Sequence, residues 1–279
     1  MLIDILTAII FGITEGICEW LPISSTGHLI LLERVIPLSI SDNAELNLQF
    51  RSMFDVVIQL GAILAVFFLY FDRLNPFKRK NFPLLRDITL ATIPAAVIGI
   101  CADIACEALF GIDLDTLLFV PEVVASALIV YGIIFILVEK LGRTPCKNAH
   151  SVSTREALAI GFFQALAIIP GTSRSGATII GARVLGIDRE SAAEFSFFAA
   201  IPAILGASAL KIFEFGKFII SDEASLTANA VIILAVSFAT AFSVSIISIK
   251  LLLGFIRKHS FIPFGIYRII LGIAVLLAL

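Results

Sequence analysis

Long runs of apolar residues, separated by short polar loops, set the pattern of this chain. Six of these runs are long enough to cross a membrane as helices, because the hydrocarbon core of a bilayer needs about 20 helical residues. We place them at 54–71, 88–106, 121–138, 194–211, 228–250 and 261–279. The pattern therefore predicts an all-α integral membrane protein with about six transmembrane helices.

Two further apolar segments, 5–36 and 156–184, are interrupted. Each breaks at a proline followed by small hydroxyl residues, with the sequence PISSTG from Pro22 and PGTSRSG from Pro170. The arms on either side of each break are too short to span a bilayer separately. We therefore predict two re-entrant segments, each made of a broken helix.

The composition supports a membrane location. Of the 279 residues, 59% are hydrophobic and only 15% are charged, whereas a soluble domain is about a quarter charged. So large an apolar excess cannot be buried in one soluble core, and a soluble protein is disfavoured. We treat residues 1–279 as a single membrane domain.

The charged loops predict an orientation. Residues 72–87 carry five basic and two acidic side chains, residues 139–156 carry four basic and two acidic, and a third basic turn spans Arg257–His259. Residues 103–122 carry five acidic and no basic side chains. Since basic loops stay on the cytoplasmic side, we place these three in the cytoplasm and 103–122 outside.

This orientation brings the two broken segments to the midplane from opposite faces, 5–36 from outside and 156–184 from the cytoplasm. Discontinuous helices that meet in this way are typical of an inverted-topology repeat with a central site. We expect repeat halves at approximately 1–106 and 121–250, followed by a last helix at 261–279.

Glu15 and Glu19 are the first candidates for chemistry. Their i,i+4 spacing places both on one face of a helix, and two carboxylates within a membrane need a partner, a shared proton or a cation. A hard divalent cation such as Mg²⁺ or Ca²⁺ suits oxygen ligands of this kind. The alternative is that both lie near the interface and are simply hydrated.

Three hydroxyl residues and a histidine follow the first proline. One of Ser24, Ser25 and Thr26 is predicted to cap the apolar helix that follows, by accepting from its free N–H groups. The same helix N-terminus can bind an anion. A lone histidine is usually structural, but His28 lies in the same turn near two glutamates and is a candidate for acid/base or nucleophilic chemistry.

Arg174 lies between two serines in the second break, inside an apolar segment. A guanidinium there needs an anion, and its planar fork matches phosphate oxygens; snorkelling to the interface is the alternative. Arg268 also lies inside a predicted span, and for it both snorkelling and pairing with Glu194 or Asp55 remain open.

These residues fall in motifs that resemble a known family. An acidic ExxxE motif (Glu15–Glu19) runs into PISSTGH (Pro22–His28), and PGTSRSGAT (Pro170–Thr178) follows later. Similar stretches occur at 56–66, 194–207 and 260–268. Over essentially its whole length the chain resembles the bacterial undecaprenyl-pyrophosphate phosphatase family, also called the bacitracin-resistance protein family.

The resemblance implies a metal-dependent inner-membrane enzyme that hydrolyses undecaprenyl pyrophosphate to undecaprenyl phosphate and inorganic phosphate. Such an enzyme recycles the lipid carrier of peptidoglycan synthesis and confers bacitracin resistance. The residues that match the motifs are Glu15, Glu19, Ser25, His28 and Arg174 as catalytic groups, Glu15 and Glu19 as ligands of Mg²⁺ or Ca²⁺, and Ser24, Thr26, Gly27, Gly171, Thr172, Ser173, Ser175, Gly176 and Thr178 as substrate-binding groups.

The expected partners are undecaprenyl pyrophosphate and the lipid bilayer, with no nucleic acid and with a homodimer left open. The expected location is the bacterial inner membrane, with a multi-pass chain whose active site faces outside. The nucleophile also remains open, because Ser25 or His28 could attack, or His28 could activate Ser25 or a water. A lipid transporter is the rival hypothesis, since broken helices at the midplane are a common transporter plan.

Overall fold

The computed structural model describes residues 2–41, 43–141, 152–221 and 226–277, and this part of the chain is helical without strands. Residues 142–151, most of the second basic loop used for the predicted orientation, lie outside the described residues. The helices are α1 (Leu2–Cys18), α2 (Ser25–Val35), α3 (Ala44–Leu69), α4 (Phe71–Leu74), α5 (Phe82–Phe110), α6 (Leu114–Leu118), α7 (Pro121–Leu141), α8 (Thr154–Ala165), α9 (Arg174–Val184), α10 (Arg189–Ser221), α11 (Ala228–Ile256) and α12 (Ile262–Leu277).

Five helices, α3, α5, α7, α10 and α11, are long and apolar enough to cross a membrane, and α12 is a shorter apolar helix. Large apolar side chains such as Phe68, Ile100 and Leu251 are exposed on their outer faces. Water would oppose this exposure, whereas lipid hydrocarbon does not. The prediction of an all-α multi-pass membrane protein is confirmed.

Most of these helices extend beyond the predicted runs. Helix α3 begins at Ala44, because the side chain of Asn43 accepts from two N–H groups of its first turn, which adds a polar first turn to the apolar span. Asp55, the second residue of the predicted run 54–71, therefore lies well inside α3. Glu194 likewise follows the start of α10 at Arg189.

The helix before each break packs against a long helix from the other half of the chain. Helix α1 packs against α11, and α8, which also precedes a break, packs against α5. A Cβ on Gly12 would lie 2.6 Å from the carbonyl oxygen of Ser237, and a Cβ on Gly161 would lie 2.4 Å from that of Ala91. This matched close approach agrees with an inverted repeat, whose predicted boundaries stay a prediction.

The two breaks share the backbone geometry of the residue that caps the following helix. The residue before α2, Ser24, has φ 74°, and the residue before α9, Ser173, has φ 70°. Each serine side chain accepts from an N–H in the first turn of its helix, that of Gly27 and that of Gly176 respectively. The prediction that one hydroxyl of the first cluster caps a helix is confirmed, with Ser24 as the cap.

Candidate active site

Polar bonds join the two breaks directly. Arg174, the first residue of α9, donates from Nη2 to Oε1 of Glu19 at 2.9 Å. The hydroxyl of Ser175 donates to the carbonyl of Leu21 at 3.3 Å. Residues 155 positions apart in the chain are thus held together where both helices are interrupted.

Glu19 also accepts a hydrogen bond from Ser25. The distance from Ser25 Oγ to Glu19 Oε2 is 2.8 Å, and the exposed fractions are 8% and 7%. Glu19 lies just beyond the end of α1, but its N–H still bonds to the carbonyl of Glu15 at 3.0 Å. The helical spacing of the two glutamates is therefore retained. A buried hydroxyl that donates to a carboxylate is poised for deprotonation.

The guanidinium of Arg174 bridges two helices of the site. Besides Glu19, it donates from Nη1 to the carbonyl of Ser196 at 2.8 Å, and its Nε has no partner in the part of the chain that the structure describes. Its side chain is 13% exposed, so it is mostly buried and ion-paired rather than snorkelling. The guanidinium has an anionic partner in Glu19, while contact with phosphate stays a prediction.

Glu15 is fully buried, and among the described residues neither of its carboxylate oxygens has a hydrogen-bond partner. The charged groups that act on it are Glu19, Asp55 and Arg174. A carboxylate in such surroundings is costly unless a cation or a proton joins it. Hydration at the interface, the alternative weighed for this pair, does not fit a side chain with no exposed surface.

His28 has both ring nitrogens engaged, neither with Ser25. Its Nδ1 lies 2.7 Å from the carbonyl oxygen of Ser24, and its Nε2 lies 2.6 Å from the hydroxyl of Tyr267. Because a carbonyl only accepts, Nδ1 carries the proton and a neutral ring accepts from Tyr267 at Nε2. The described contacts therefore place Glu19, and not His28, at the hydroxyl of Ser25.

The remaining predicted binding residues build the two breaks. Thr172 is fully buried, and its hydroxyl has no partner among the described residues. Ser173 and Ser175 contact each other through their hydroxyls at 3.1 Å. The hydroxyl of Thr178 lies within hydrogen-bonding distance of the carbonyls of Arg174 and Ser175 and of the hydroxyl of Ser196. Gly171 has φ 92°, and a Cβ there would lie 2.4 Å from the carbonyl oxygen of Val124. Thr26 is half-buried next to Ser25. Most of these groups shape the loop, and their contact with substrate stays a prediction.

Two residues of this cluster were missed by the sequence reasoning. Tyr267 stacks on His28 with ring planes 1° apart, and its position directly before Arg268 was the available signal. Ser196 supports Arg174 through its carbonyl, which no side-chain pattern reports.

Arg268 pairs with neither of the two acids that the sequence analysis considered. Glu194 pairs with Arg73 at 2.7 Å, and Asp55 pairs with Arg51 at 3.0 Å. Arg268 is fully buried and donates to backbone carbonyls at both breaks. Snorkelling and pairing with either acid are therefore wrong for this residue.

The fold and the site define an all-helical, multi-pass membrane protein whose two broken helices bring a hydroxyl, a carboxylate and a guanidinium into one buried cluster. Comparison with known proteins agrees with this class. The family model described as "Bacitracin resistance protein BacA" matches residues 8–274. The chain belongs to this family.

Similar relatives span nearly the whole chain. "Undecaprenyl-diphosphatase 1" of Clostridioides difficile (strain 630) is 49% identical over 284 residues, covering 99% of this chain and 96% of the relative. "Undecaprenyl-diphosphatase" of Enterococcus faecalis is 44% identical, covering 99% and 97%. A protein of the same name from Desulfitobacterium hafniense (strain DSM 10664 / DCB-2) is 46% identical, covering 99% and 96%.

Proposed function

We propose that this protein hydrolyses undecaprenyl pyrophosphate to undecaprenyl phosphate and inorganic phosphate. The observation that carries the proposal is the buried chain of contacts from Ser25 through Glu19 to Arg174. It combines a nucleophile, a base and a phosphate-binding cation, the three parts that hydrolysis of a pyrophosphate needs. The names of the full-length relatives support the same reaction.

In the first step, Ser25 Oγ attacks the terminal phosphorus, and its proton passes to Glu19. The bond between that phosphorus and the bridging oxygen breaks, so that undecaprenyl phosphate leaves and a phosphoserine forms. Glu19 is the base because it lies 2.8 Å from Ser25 Oγ, within the reach of direct proton transfer.

In the second step, water attacks the phosphoserine and the bond to Ser25 Oγ breaks. Glu19 returns its proton to the serine, and the second proton of the water goes to a phosphate oxygen of the inorganic phosphate. Arg174 and the first-turn N–H groups of α2 and α9 offset the charge of the phosphoryl group throughout. His28, held by Tyr267, orients the break and is not assigned the proton of Ser25.

The residues present fit a divalent cation. Both oxygens of Glu15 are buried without a partner within the described ranges, and the two oxygens of Glu19 accept one hydrogen bond each. Among the described residues no group of three or more acidic, histidine or cysteine side chains forms a ligand cage. Mg²⁺ commonly uses one or two carboxylates with substrate phosphates, so Glu15 and Glu19 would hold Mg²⁺ or Ca²⁺, which neutralises phosphate charge when bound.

The orientation follows from loop charge. With the acidic segment 103–122 outside, the first break opens to the outer side of the bacterial inner membrane. Pyrophosphate is released there after cell-wall polymerisation, so hydrolysis recycles the carrier where it is formed. Consumption of the pyrophosphate lipid that bacitracin sequesters would also confer resistance. A homodimer stays a prediction.

The first test is phosphate release from undecaprenyl pyrophosphate by purified protein, with Mg²⁺ and with EDTA. We expect metal-dependent release that falls by about 10²–10³-fold in Arg174→Ala, the cost of losing one group that stabilises developing charge. Arg257→Ala, which removes an exposed arginine paired with Glu190, serves as the control and should keep wild-type activity.

The competing function is lipid transport, favoured by the two broken helices that meet from opposite halves. Transport would be the function if folded wild-type protein releases no phosphate with any divalent cation but moves the lipid across vesicle bilayers. If Arg174→Ala releases phosphate at the wild-type rate, Arg174 is not the group that binds the phosphate.

A further inference from the structure

Arg268 is a fully buried cation between the two breaks. It lies on α12 and donates from Nη1 to the carbonyl of Pro22 at 3.1 Å. Its Nη2 donates to the carbonyls of Gly171 and Thr172, each at 2.8 Å. One side chain thus binds backbone from the first break and from the second.

Its partners differ from those of the other buried arginines. Arg51 pairs with Asp55 and Glu33 at 3.0 and 3.1 Å, and Arg183 pairs with Glu139 at 3.1 Å. Within the described ranges the polar partners of Arg268 are neutral carbonyls and no carboxylate. An unbalanced buried charge is expensive, so an anion bound nearby gains more from Arg268 than from an arginine that a carboxylate already neutralises.

The bonds of Arg268 also orient the backbone of the second break. The peptide bonds there are trans, and in a trans peptide the carbonyl and the N–H point in opposite directions. Since the carbonyl of Thr172 points at Arg268, the N–H of Ser173 points away from it. A Cβ on Gly176 would lie 3.0 Å from Nη1, so the guanidinium lies against the first turn of α9.

Several positive features therefore surround the two breaks. The N-terminal ends of α2 and α9 carry partial positive charge. Arg174 adds a guanidinium whose Nε has no partner among the residues that the structure describes, and Arg268 adds its full charge behind the backbone. A multiply charged phosphate at this position would balance all of them together.

We propose that Arg268 is a positioning residue for the pyrophosphate group: it holds the two breaks together and turns the N–H of Ser173 toward the substrate, and the bound pyrophosphate offsets its charge. This inference rests on the proposed function, whose site it completes.

The test compares Arg268→Gln and Arg268→Lys with Arg183→Gln and Arg183→Lys. Arg183 is the matched control because it is also a buried arginine, and its partner Glu139 keeps a second bond to Arg189 at 2.7 Å. The readouts are kcat with undecaprenyl pyrophosphate, the inhibition constant of inorganic pyrophosphate, and the rise in Tm that inorganic pyrophosphate causes. The last readout needs no turnover.

We expect Arg268→Gln to lower kcat by about 100-fold and to weaken pyrophosphate inhibition by at least about 10-fold, the scale of losing one oriented charge-stabilising group. Arg268→Lys keeps the charge but cannot reproduce a planar fork with three bonds. It should regain most of the pyrophosphate affinity while kcat stays at least about 10-fold low. Both Arg183 variants should change neither quantity by more than about threefold.

Two results would overturn the inference. One is folded Arg268→Gln protein with unchanged pyrophosphate inhibition; the other is equal losses in the Arg183 variants. If Arg268→Gln does not fold, the test depends on Arg268→Lys, and a wild-type kcat in that variant would contradict the positioning role. The wild type could also hydrolyse nothing while pyrophosphate raises its Tm and Arg268→Gln abolishes that rise. This result would support the role of Arg268 in binding pyrophosphate and would contradict the proposed hydrolysis.

Discussion

The two breaks share the geometry of their serine caps and carry different chemistry. Both begin with a serine cap at φ near 70° and both have a glycine three residues after the cap. The residue directly after the cap differs, since the first break has Ser25 and the second has Arg174. Nine residues before the caps, the first break has Glu15 and the second has Gln164, and both side chains are buried.

This difference teaches how one scaffold serves two roles. A helix N-terminus reached through a left-handed residue provides free N–H groups in both halves. The first half adds carboxylates and a hydroxyl, which can exchange a proton with each other. The second half adds a guanidinium, which can only donate and attract. We infer that the first break does the chemistry and the second holds the charge.

Ser25→Ala should have the largest effect on this comparison. Removing the nucleophile is expected to lower kcat by about 10³-fold or more, with a small change in KM, because the phosphate-binding groups remain. Thr26→Ala, which removes the neighbouring hydroxyl, is the control and should stay within about tenfold of wild type. If Ser25→Ala keeps its activity and His28→Ala loses it, the assignment of nucleophile and base is wrong.

Glu15→Gln makes the first break resemble the second. We expect the concentration of Mg²⁺ or Ca²⁺ for half-maximal activity to rise by at least the ~10- to 100-fold that loss of a group supporting a metal typically costs. Gln164→Met removes the corresponding amide of the second break and should leave that concentration unchanged. The measurement is the activity of both variants as a function of cation concentration. An equal rise of the half-maximal concentration in the two would show that the breaks do not differ in cation binding.

Gly171→Ala should act on stability rather than on the reaction alone. Its φ of 92° disfavours a side chain, and the added Cβ would lie 2.4 Å from the carbonyl oxygen of Val124, so we expect a cost of about 2–4 kcal/mol. Gly186 has a similar φ of 82°, and no described residue lies within 4 Å of an added Cβ. We expect Gly186→Ala to cost about 1–2 kcal/mol. Thermal unfolding in detergent compares them, and an equal fall in Tm would contradict the close packing of Gly171 on α7.

Much of the membrane fold could be predicted from local pattern. Apolar runs of sufficient length predict helices because the bilayer leaves the backbone no other way to pair its polar groups. The breaks were visible at Pro22 and Pro170, since proline removes a helical hydrogen bond. The helix bounds were less accessible, because a cap such as Asn43 extends α3 through polar residues that a search for apolar runs leaves out.

The candidate residues were visible for the same reason, since Glu15, Glu19 and Arg174 are charges in an apolar chain. Their partners were not. That Glu19 lies between Ser25 and Arg174, and that His28 binds Tyr267 and not Ser25, depends on side-chain directions across helices far apart in the chain.

The sequence by itself determined that this chain lies in a membrane, that two of its helices are broken, and which polar groups lie at the breaks, because these properties follow from residue type and short spacing. Only the tertiary structure decided which groups meet. Contacts such as that of Arg268 with Pro22 and Thr172 join residues 246 and 96 positions apart. They exist because helix packing brings the two breaks together, and no local pattern encodes that distance.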